Sequence, residues 1–284
     1  YPRPIPTPVH NLRPARETCE QCHWPQKFVG DRLKVITSYG DDEEVTEQKT
    51  VLLLRVGGLQ GRASHGIHWH VDPDHQIRYR ADEKRDTIYE VEMRGPDGEL
   101  VRFFAPGADG AELETASGWR TMDCVDCHNR PSHTFHTVED EVDREILSGR
   151  IARDLPFVRR EGVRLARLDY PSHEAAREGI LAGLRAFYSE EFPEIAAERD
   201  GAIAEAAAAI WDGYRANVHP AMNVTWGTYP NHIGHEASPG CFRCHDDLHA
   251  TADGSRVISQ DCDTCHSLLA MEEEDPEILR TLNP

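Results

Sequence analysis

All eight cysteines of this 284-residue chain occur in pairs, and a histidine directly follows each pair. This Cys-x-x-Cys-His spacing is the attachment signal for c-type haem, in which both thiols bond covalently to the macrocycle and the adjacent imidazole ligates the iron. Four copies of the motif therefore predict four haem c groups. The predicted attachment residues are Cys19, Cys22, Cys124, Cys127, Cys241, Cys244, Cys262 and Cys265. The predicted proximal axial ligands are His23, His128, His245 and His266.

Zinc sites and disulfides are the alternative interpretations of paired cysteines. Zinc knuckles also use Cys-x-x-Cys pairs, but they do not require a histidine after every second cysteine. Disulfides would leave the four adjacent histidines unexplained. Because no cysteine lies outside the four motifs, haem attachment accounts for the whole set.

The histidines that remain decide what the irons can do. Four of the 16 histidines are used as proximal ligands, and the chain has only four methionines to offer as the usual alternative. Histidine is therefore expected as the sixth ligand at most or all irons. Two imidazoles close the iron to substrates, so this pattern favours electron transfer over catalysis, and no catalytic residue is predicted.

The distal ligands are expected among histidines held near a haem motif or on ordered backbone. His133 and His249 follow their own motifs too closely to reach the same iron, so each is expected to serve a neighbouring haem. The predicted distal ligands are His68, His133, His235 and His249. The reserve candidates are His70, His232, His219 and His10, whereas His75, His136 and His173 are interpreted as structural.

Charge and hydropathy exclude several classes of function. The formal net charge is −19, with 31 basic and 50 acidic residues. A surface this acidic repels phosphate backbones and anionic lipids, so nucleic-acid binding and attachment through a basic patch are not expected. No stretch approaches the ~18 apolar residues of a membrane-spanning helix. Since the sequence starts at Tyr1, we interpret it as a processed, exported chain of extracellular or periplasmic location.

The sequence pattern predicts an α+β fold with much irregular structure around the haems. An antiparallel β-insert is expected at about 45–105, where β-branched and alternating segments surround a Gly-Pro-Asp-Gly turn. Within it, residues 66–70 are interpreted as a strand with His68 and His70 on one face. The predicted segments are an extended Pro-rich arm at 1–16, a region for the first two haems at 17–136, a helical segment at about 137–217, and a region for the last two haems at 218–284.

Signals for helix ends support the helical segment. Thr137 and Ser172 are expected as N-terminal caps, Pro193 as a first helical residue and Gly149 as a stop. Three apolar stripes accompany these signals, and their expected role is packing or docking. The stripes are Val138, Val142 and Ile146; Ala176, Ile180, Leu184 and Phe187; and Ile203, Ala207, Ile210 and Tyr214.

The Pro-rich arm has two possible placements. Proline at positions 2, 4, 6 and 8 forces an extended conformation without helical hydrogen bonds. The arm is expected either to wrap its own domain or to cross to a neighbouring subunit and donate His10 to that subunit's haem.

The haem-bearing segments 17–25, 122–133 and 240–247 resemble the NapC/NirT-like group of multihaem c-type cytochromes. The resemblance rests on three runs of sequence, which are Glu17-Thr18-Cys19 through Pro25, Met122-Asp123-Cys124 through His133, and Gly240-Cys241 through Asp247. It implies electron transfer between redox partner proteins. Members of that group are normally held by an N-terminal transmembrane helix, which this sequence does not contain, so quinol oxidation is not part of the expectation.

The chain also resembles, more loosely, the tetrahaem protomers of extracellular cytochrome filaments, in which one axial histidine can come from the next subunit. This resemblance implies self-association into a conductive filament. The alternatives are a soluble periplasmic shuttle, a subunit of a respiratory complex, and a multihaem reductase of nitrogen or sulfur oxyanions. The surplus of histidines and the acidic surface disfavour the reductase.

Overall fold

The fold is α+β, as predicted, with two antiparallel sheets and a group of packed helices. The structure is a computed structural model, and His10, Trp24 and Pro25 lie outside its described residues. The described residues are 1–9, 13–23, 30–57, 66–72, 75–95, 97–108, 110, 113 and 116–282. Among them, no helix is long and apolar enough to cross a membrane.

The first sheet joins the two ends of the chain. It contains β1 (Arg32–Tyr39), β2 (Glu47–Leu54) and β7 (His266–Glu273), in the order β1-β2-β7, and both pairings are antiparallel. Leu54 lies opposite His266, so the strand that starts at the fourth proximal histidine is paired with a strand from the first third of the chain.

The second sheet contains β3 (Gln76–Ala81), β4 (Ile88–Arg94), β5 (Leu100–Phe104) and the short β6 (Arg120–Thr121). Its order is β5-β4-β3-β6, again with antiparallel pairing. Alternate residues of β3 to β5 form a small apolar core. The buried members of this core are Ile77, Tyr79, Ala81, Ile88, Val91, Val101 and Phe103.

The prediction of a single β-insert at 45–105 is only partly right. Strands do occupy this region, but they belong to two different sheets, and β1 and β7 lie outside the predicted limits. The pairing of β2 with β7 joins residues more than 200 positions apart, and a local alternation pattern carries no information about such a partner.

The strand predicted at residues 66–70 is wrong, because Ile67–Val71 is a 3-10 helix. It begins after Gly66, whose φ is +81° and where a Cβ would collide with the Arg55 carbonyl. The amide of Ile67 donates to that same carbonyl at 2.8 Å. With three residues per turn, positions two apart point in different directions. His68 and His70 therefore do not share a face.

The helical segment agrees closely with the sequence pattern. Thr137 Oγ1 accepts from the amide of Asp140, Ser172 Oγ accepts from that of Ala175, and Pro193 opens its helix. The helices are α3 (Val138–Leu147), α4 (Val158–Ala166), α5 (His173–Glu191), α6 (Pro193–Glu198) and α7 (Asp200–Asn217). They follow α1 (Ala15–Thr18) and α2 (Cys124–Cys127) and precede α8 (Glu277–Leu282).

The apolar stripes of α3, α5 and α7 pack against one another. Ile180 and Leu184 of α5 are fully buried, as is Tyr188, whose hydroxyl donates to the Pro156 carbonyl at 2.9 Å. Ile203 and Ile210 of α7 belong to the same cluster. This part of the chain therefore has an apolar core of its own.

The described residues at the start of the Pro-rich arm contact their own chain, and donation of His10 to a neighbouring subunit stays a prediction. Arg3 donates from its guanidinium to the Ala221 carbonyl at 2.9 Å, and its own carbonyl accepts from Asn223 Nδ2 at 3.2 Å. Tyr229 donates its hydroxyl to the Ile5 carbonyl at 3.1 Å. These contacts attach the arm to the segment that precedes the third haem motif.

Removal of buried side-chain volume from the helical core should destabilise the protein. Leu184→Ala is expected to lower the free energy of unfolding by ~2–5 kcal/mol, because it leaves a cavity in a fully packed site. The matched control is Leu147→Ala in α3, where the side chain is 59% exposed. Surface changes of this kind stay within about 0.5 kcal/mol. Urea unfolding followed by helix circular dichroism measures both, and equal losses would contradict the packing described.

Candidate functional site

Each Cys-x-x-Cys-His motif folds as a short helical turn. The turns are Cys19–Gln21, α2, Gly240–Arg243 and Cys262–Thr264. In the first three motifs, the amide of the proximal histidine donates to the carbonyl of the first cysteine, at 2.7, 2.8 and 3.1 Å. No disulfide joins any of the eight cysteines, so none of them is withdrawn from haem attachment.

The four motifs adjoin one another in sequence order. Burial raises the pKa of Cys124, and the nearby charges include Cys19 of the first motif. Burial, and after it the electrostatic effect of Cys241 in the third motif, raises the pKa of Cys127 to about 12. Burial, and after it the electrostatic effect of Cys241, also raises the pKa of Cys265. Each motif therefore lies close enough to the next to influence its thiols.

Asp126 connects the second motif to the second sheet. This buried carboxylate accepts from the Tyr79 hydroxyl at 2.6 Å and from Arg120 Nε at 2.7 Å. It also accepts from the amide of Asp123, which completes a capping box at the start of α2. Burial, followed by the negative charge of Asp126, raises the pKa of Tyr79. The hydroxyl therefore stays protonated and remains a donor.

Arg243 connects the second motif to the third. It occupies the position before Cys244, and its guanidinium donates to the carbonyl of Asp126 at 2.9 Å. It also donates to the Arg85 carbonyl at 2.7 Å. The bond to Asp126 joins two residues that each lie between the cysteines of a motif, so it fixes the second and third motifs relative to each other.

His70 faces the third proximal histidine, His245. Their Nε2 atoms lie 3.4 Å apart. The Nδ1 atom of His70 is 2.8 Å from the Ile67 carbonyl, and that of His245 is 2.7 Å from the Ser259 carbonyl. Because a carbonyl only accepts, the Nδ1 atom of each ring is placed to donate, and the Nε2 lone pairs of the two rings are then directed at each other.

Such a pair of lone pairs needs a proton or a metal ion between them. Burial lowers the pKa of His70, which disfavours a protonated ring. Metal–imidazole bonds of about 2 Å would separate the two nitrogens by about 4 Å, close to the separation observed. The donor set therefore fits an iron ligated by an imidazole on each side.

His68 lies near the second proximal histidine. Burial lowers the pKa of His68, and the positive charge of the nearby His128 lowers it as well. The amide of His68 donates to the Val56 carbonyl at 3.1 Å, which fixes its place on the 3-10 turn. One turn thus directs His68 towards the second motif and His70 towards the third.

His235 faces the fourth proximal histidine, His266. The ring centroids are 6.1 Å apart, and the planes are inclined by 28°. Phe242, from the third motif, stacks on the other side of His235 at 4.2 Å and 11°. The sequence predicts His235 as a distal ligand, and the structure places it beside His266; the ligand role itself stays a prediction.

His249 does not have the position expected of a ligand. The side chain is 3% exposed, its Nδ1 lies 2.9 Å from Asp246 Oδ2, and its Nε2 lies 3.0 Å from the Ile88 carbonyl. Both ring nitrogens are used within the protein, so the structure argues against the predicted ligand role. The Asp-x-x-His spacing of residues 246–249 was an available signal for this local pairing.

The other candidates are distributed over the helical side of the molecule and the second motif. His133 Nε2 lies 3.1 Å from the Ala216 carbonyl, and the ring packs on Phe135. His219 packs against the ring of His173 at 5.7 Å. His232 is buried, with Nδ1 3.3 Å from the Asp126 carbonyl. The structure does not bring any of these three to face a proximal histidine, and His10 is outside its described part.

Comparison with known proteins agrees with the chemistry of the motifs. No protein-family model and no solved structure matches the chain. The chain is 42% identical over 279 residues to the cytochrome c-type protein ImcH of Geobacter sulfurreducens. The match covers 97% of this chain and 54% of that protein, so the chain spans about half the length of the curated relative it matches.

This similarity supports a multihaem c-type cytochrome with haem c as its cofactor. The narrower resemblances to the NapC/NirT-like group and to filament protomers stay predictions.

Loss of the Tyr79 hydroxyl should weaken the packing of the second motif on its sheet. Tyr79→Phe is expected to lower the free energy of unfolding by ~1–3 kcal/mol, because a buried carboxylate loses a donor. Tyr89→Phe in β4, where the side chain is partly exposed, is the control and should change it by less than about 0.5 kcal/mol. Denaturant unfolding of both variants checks this, and indistinguishable midpoints would rule out the proposed contribution of the hydrogen bond.

Proposed function

We propose that this chain is an exported tetrahaem c-type cytochrome that transfers electrons along irons ligated by histidine on both sides. The observation that carries the proposal is the pair His70 and His245, whose Nε2 atoms face each other at 3.4 Å with both Nδ1 protons held by backbone carbonyls. The similarity to a c-type cytochrome supports the cofactor and, with it, export.

Three axial pairs follow from the positions of the histidines, two of them from ring contacts and that of His68 from its electrostatic proximity to His128. His70 is assigned to the third haem, and His249 is assigned to none, because its ring nitrogens contact Asp246 and the Ile88 carbonyl. No distal ligand is assigned to the haem at His23, and His10 and His65 lie outside the described residues. The assigned pairs are His68 with His128, His70 with His245, and His235 with His266.

The protein's own residues hold these rings in place. The carbonyls of Ile67 and Ser259 orient the imidazoles of His70 and His245, and a hydrogen-bonded Nδ1 makes an imidazole a better ligand. When bound, haem iron supplies a one-electron couple whose potential depends on burial and on the hydrogen bonds of its ligands. Histidine on both sides leaves a substrate no position on the metal, which favours electron transfer over an oxyanion reductase.

The order of the motifs suggests a path for electrons. The first motif adjoins the second, the second adjoins the third, and the third adjoins the fourth. Cys22 of the first motif and Cys262 of the fourth are exposed, whereas the cysteines of the two inner motifs are partly buried. We infer that electrons enter and leave through the haems of the outer motifs.

The redox partners are expected to be proteins with basic surfaces, because the chain itself carries a net charge of −19. Self-association into a filament stays a prediction. The arm gives it no specific support, since its residues 3–5 bond to the same chain.

The axial assignment predicts different spectra for two histidine variants. His70→Ala should convert one of the four haems to the high-spin state, because that iron loses its sixth ligand. His249→Ala should leave all four haems low-spin, although it removes two buried hydrogen bonds. Optical and electron paramagnetic resonance spectra of the oxidised holoproteins measure this difference.

The reverse pattern, with a high-spin haem in His249→Ala alone, would show that the assignment is incorrect.

A reductive titration tests the function in the unchanged protein. Uptake of four electrons per chain, without binding of carbon monoxide to the reduced protein, is the expected result. Binding of carbon monoxide to one haem per chain would instead favour a reductase.

A further inference from the structure

Beside β7, the first sheet is buried on one face and open on the other, whereas at the β1 edge Leu33 and Val35 are 44% and 42% exposed on the face of Val51. Val51 of β2 and Ala270 of β7 lie opposite each other and are 0% and 5% exposed. Leu52 and Leu54 point to the other face, because successive side chains of a strand alternate. Both are only partly buried, and Leu268, opposite Leu52, is 52% exposed. Beside β7, the central strand β2 is thus buried on the side of Val51 and only partly buried on the side of Leu52 and Leu54.

The fourth proximal histidine stands on this open face. His266 lies directly opposite Leu54, and directly opposite residues of an antiparallel pair project to the same side. Leu268 is two positions further along β7 on the same side. His235 approaches His266 with a ring separation of 6.1 Å. The two histidines assigned to one iron therefore meet at the end of an uncovered apolar surface.

Two cations line the opposite edge of the same face. Arg32 of β1 pairs with Leu54, and Lys34 pairs with Leu52, so both project to the side of His266. Both side chains belong to exposed residues. The face thus has apolar side chains on β2 and β7 and two basic side chains on β1.

We propose that this open face, formed by Leu52, Leu54, Leu268 and His266, is the seat of the haem attached at Cys262 and Cys265. The inference rests on the proposed function. The leucines contact the porphyrin, and Arg32 and Lys34 bind its negatively charged propionates. Three strands span about 10 Å, a width comparable to that of the macrocycle. The haem thereby covers the apolar side chains that the protein leaves partly exposed on this face of the sheet.

The occupant is a haem rather than a second protein because the face matches both parts of the cofactor. A porphyrin offers an apolar plane for the leucines and two carboxylates for the cations. Its iron ligand, His266, is itself part of the face. Burial against the leucines also excludes water from the porphyrin, which is one of the factors that set a haem potential.

The test compares Leu268→Glu with Leu33→Glu in the holoprotein. Leu33 is 44% exposed in the same sheet and pairs with Leu53, so it projects to the opposite face. In Leu268→Glu, one of the four one-electron waves should move to lower potential, because a carboxylate against the porphyrin stabilises ferric iron. Leu33→Glu should leave all four waves in place. Spectroelectrochemical titration measures the waves.

A second pair of changes makes the result independent of one difficult substitution. Leu268→Ala should move the same wave in the same direction, since it admits water to the porphyrin. Arg32→Gln with Lys34→Gln should also lower that wave, because positive charge beside the haem is lost. In all variants, the haem content and the low-spin spectrum show whether the protein has folded.

The outcomes separate this inference from the proposed function. Digestion of the unchanged protein should yield a peptide containing residues 262–266 with one haem attached. Absence of that haem would contradict the proposed function itself. If the haem is present but all four waves stay in place in both Leu268 variants, or if Leu33→Glu moves the same wave equally, the proposed seat is overturned. A Leu268→Glu protein that changes only its association with a second protein would overturn it as well.

Discussion

The proposed haem arrangement depends on imidazoles whose Nε2 atoms face each other at a distance that fits a metal ion between them. His70 and His245 show this constraint most clearly, because both Nδ1 protons are held by backbone carbonyls. Neither ring can change its tautomer or turn without the loss of a hydrogen bond. Trp69, between His68 and His70, packs on the core of the second sheet, so the sheet holds the turn that carries both histidines. Iron ligation would therefore connect the second sheet, the 3-10 turn and the third motif.

The two halves of the fold are stabilised in different ways. The helices between residues 138 and 217 bury a large apolar cluster and are stabilised by packing among themselves. The sheets have smaller cores, and the first sheet leaves leucines uncovered beside His266. In this half, hydrogen-bonded links such as Arg243 to Asp126 set the distance between motifs. A cofactor that also serves as core material fits this arrangement, since a protein interior has few unfilled spaces.

Local signals made the motifs and the helices predictable from the sequence. Thr137, Ser172 and Pro193 act where their residue types predict, and the apolar stripes are buried as their spacing requires. Long-range pairing was not predictable in this way, because β7 finds its partner at the other end of the chain. The contacts of the ring nitrogens of His70 and His249 were not predictable either. Which nitrogen of each ring meets a backbone carbonyl follows from tertiary structure. The strand expected at 66–70 failed because Gly66 and the Arg55 carbonyl favour a turn.

The central claim is that all four motifs carry covalent haem, since the facing histidines have no other evident purpose. Mass spectrometry of the intact protein, after export from a host that matures c-type cytochromes, tests it most directly. The predicted result is one species heavier than the polypeptide by four haems, with no free thiol available for alkylation. A folded protein with a lower haem number, or with alkylatable cysteines in any motif, would contradict the account.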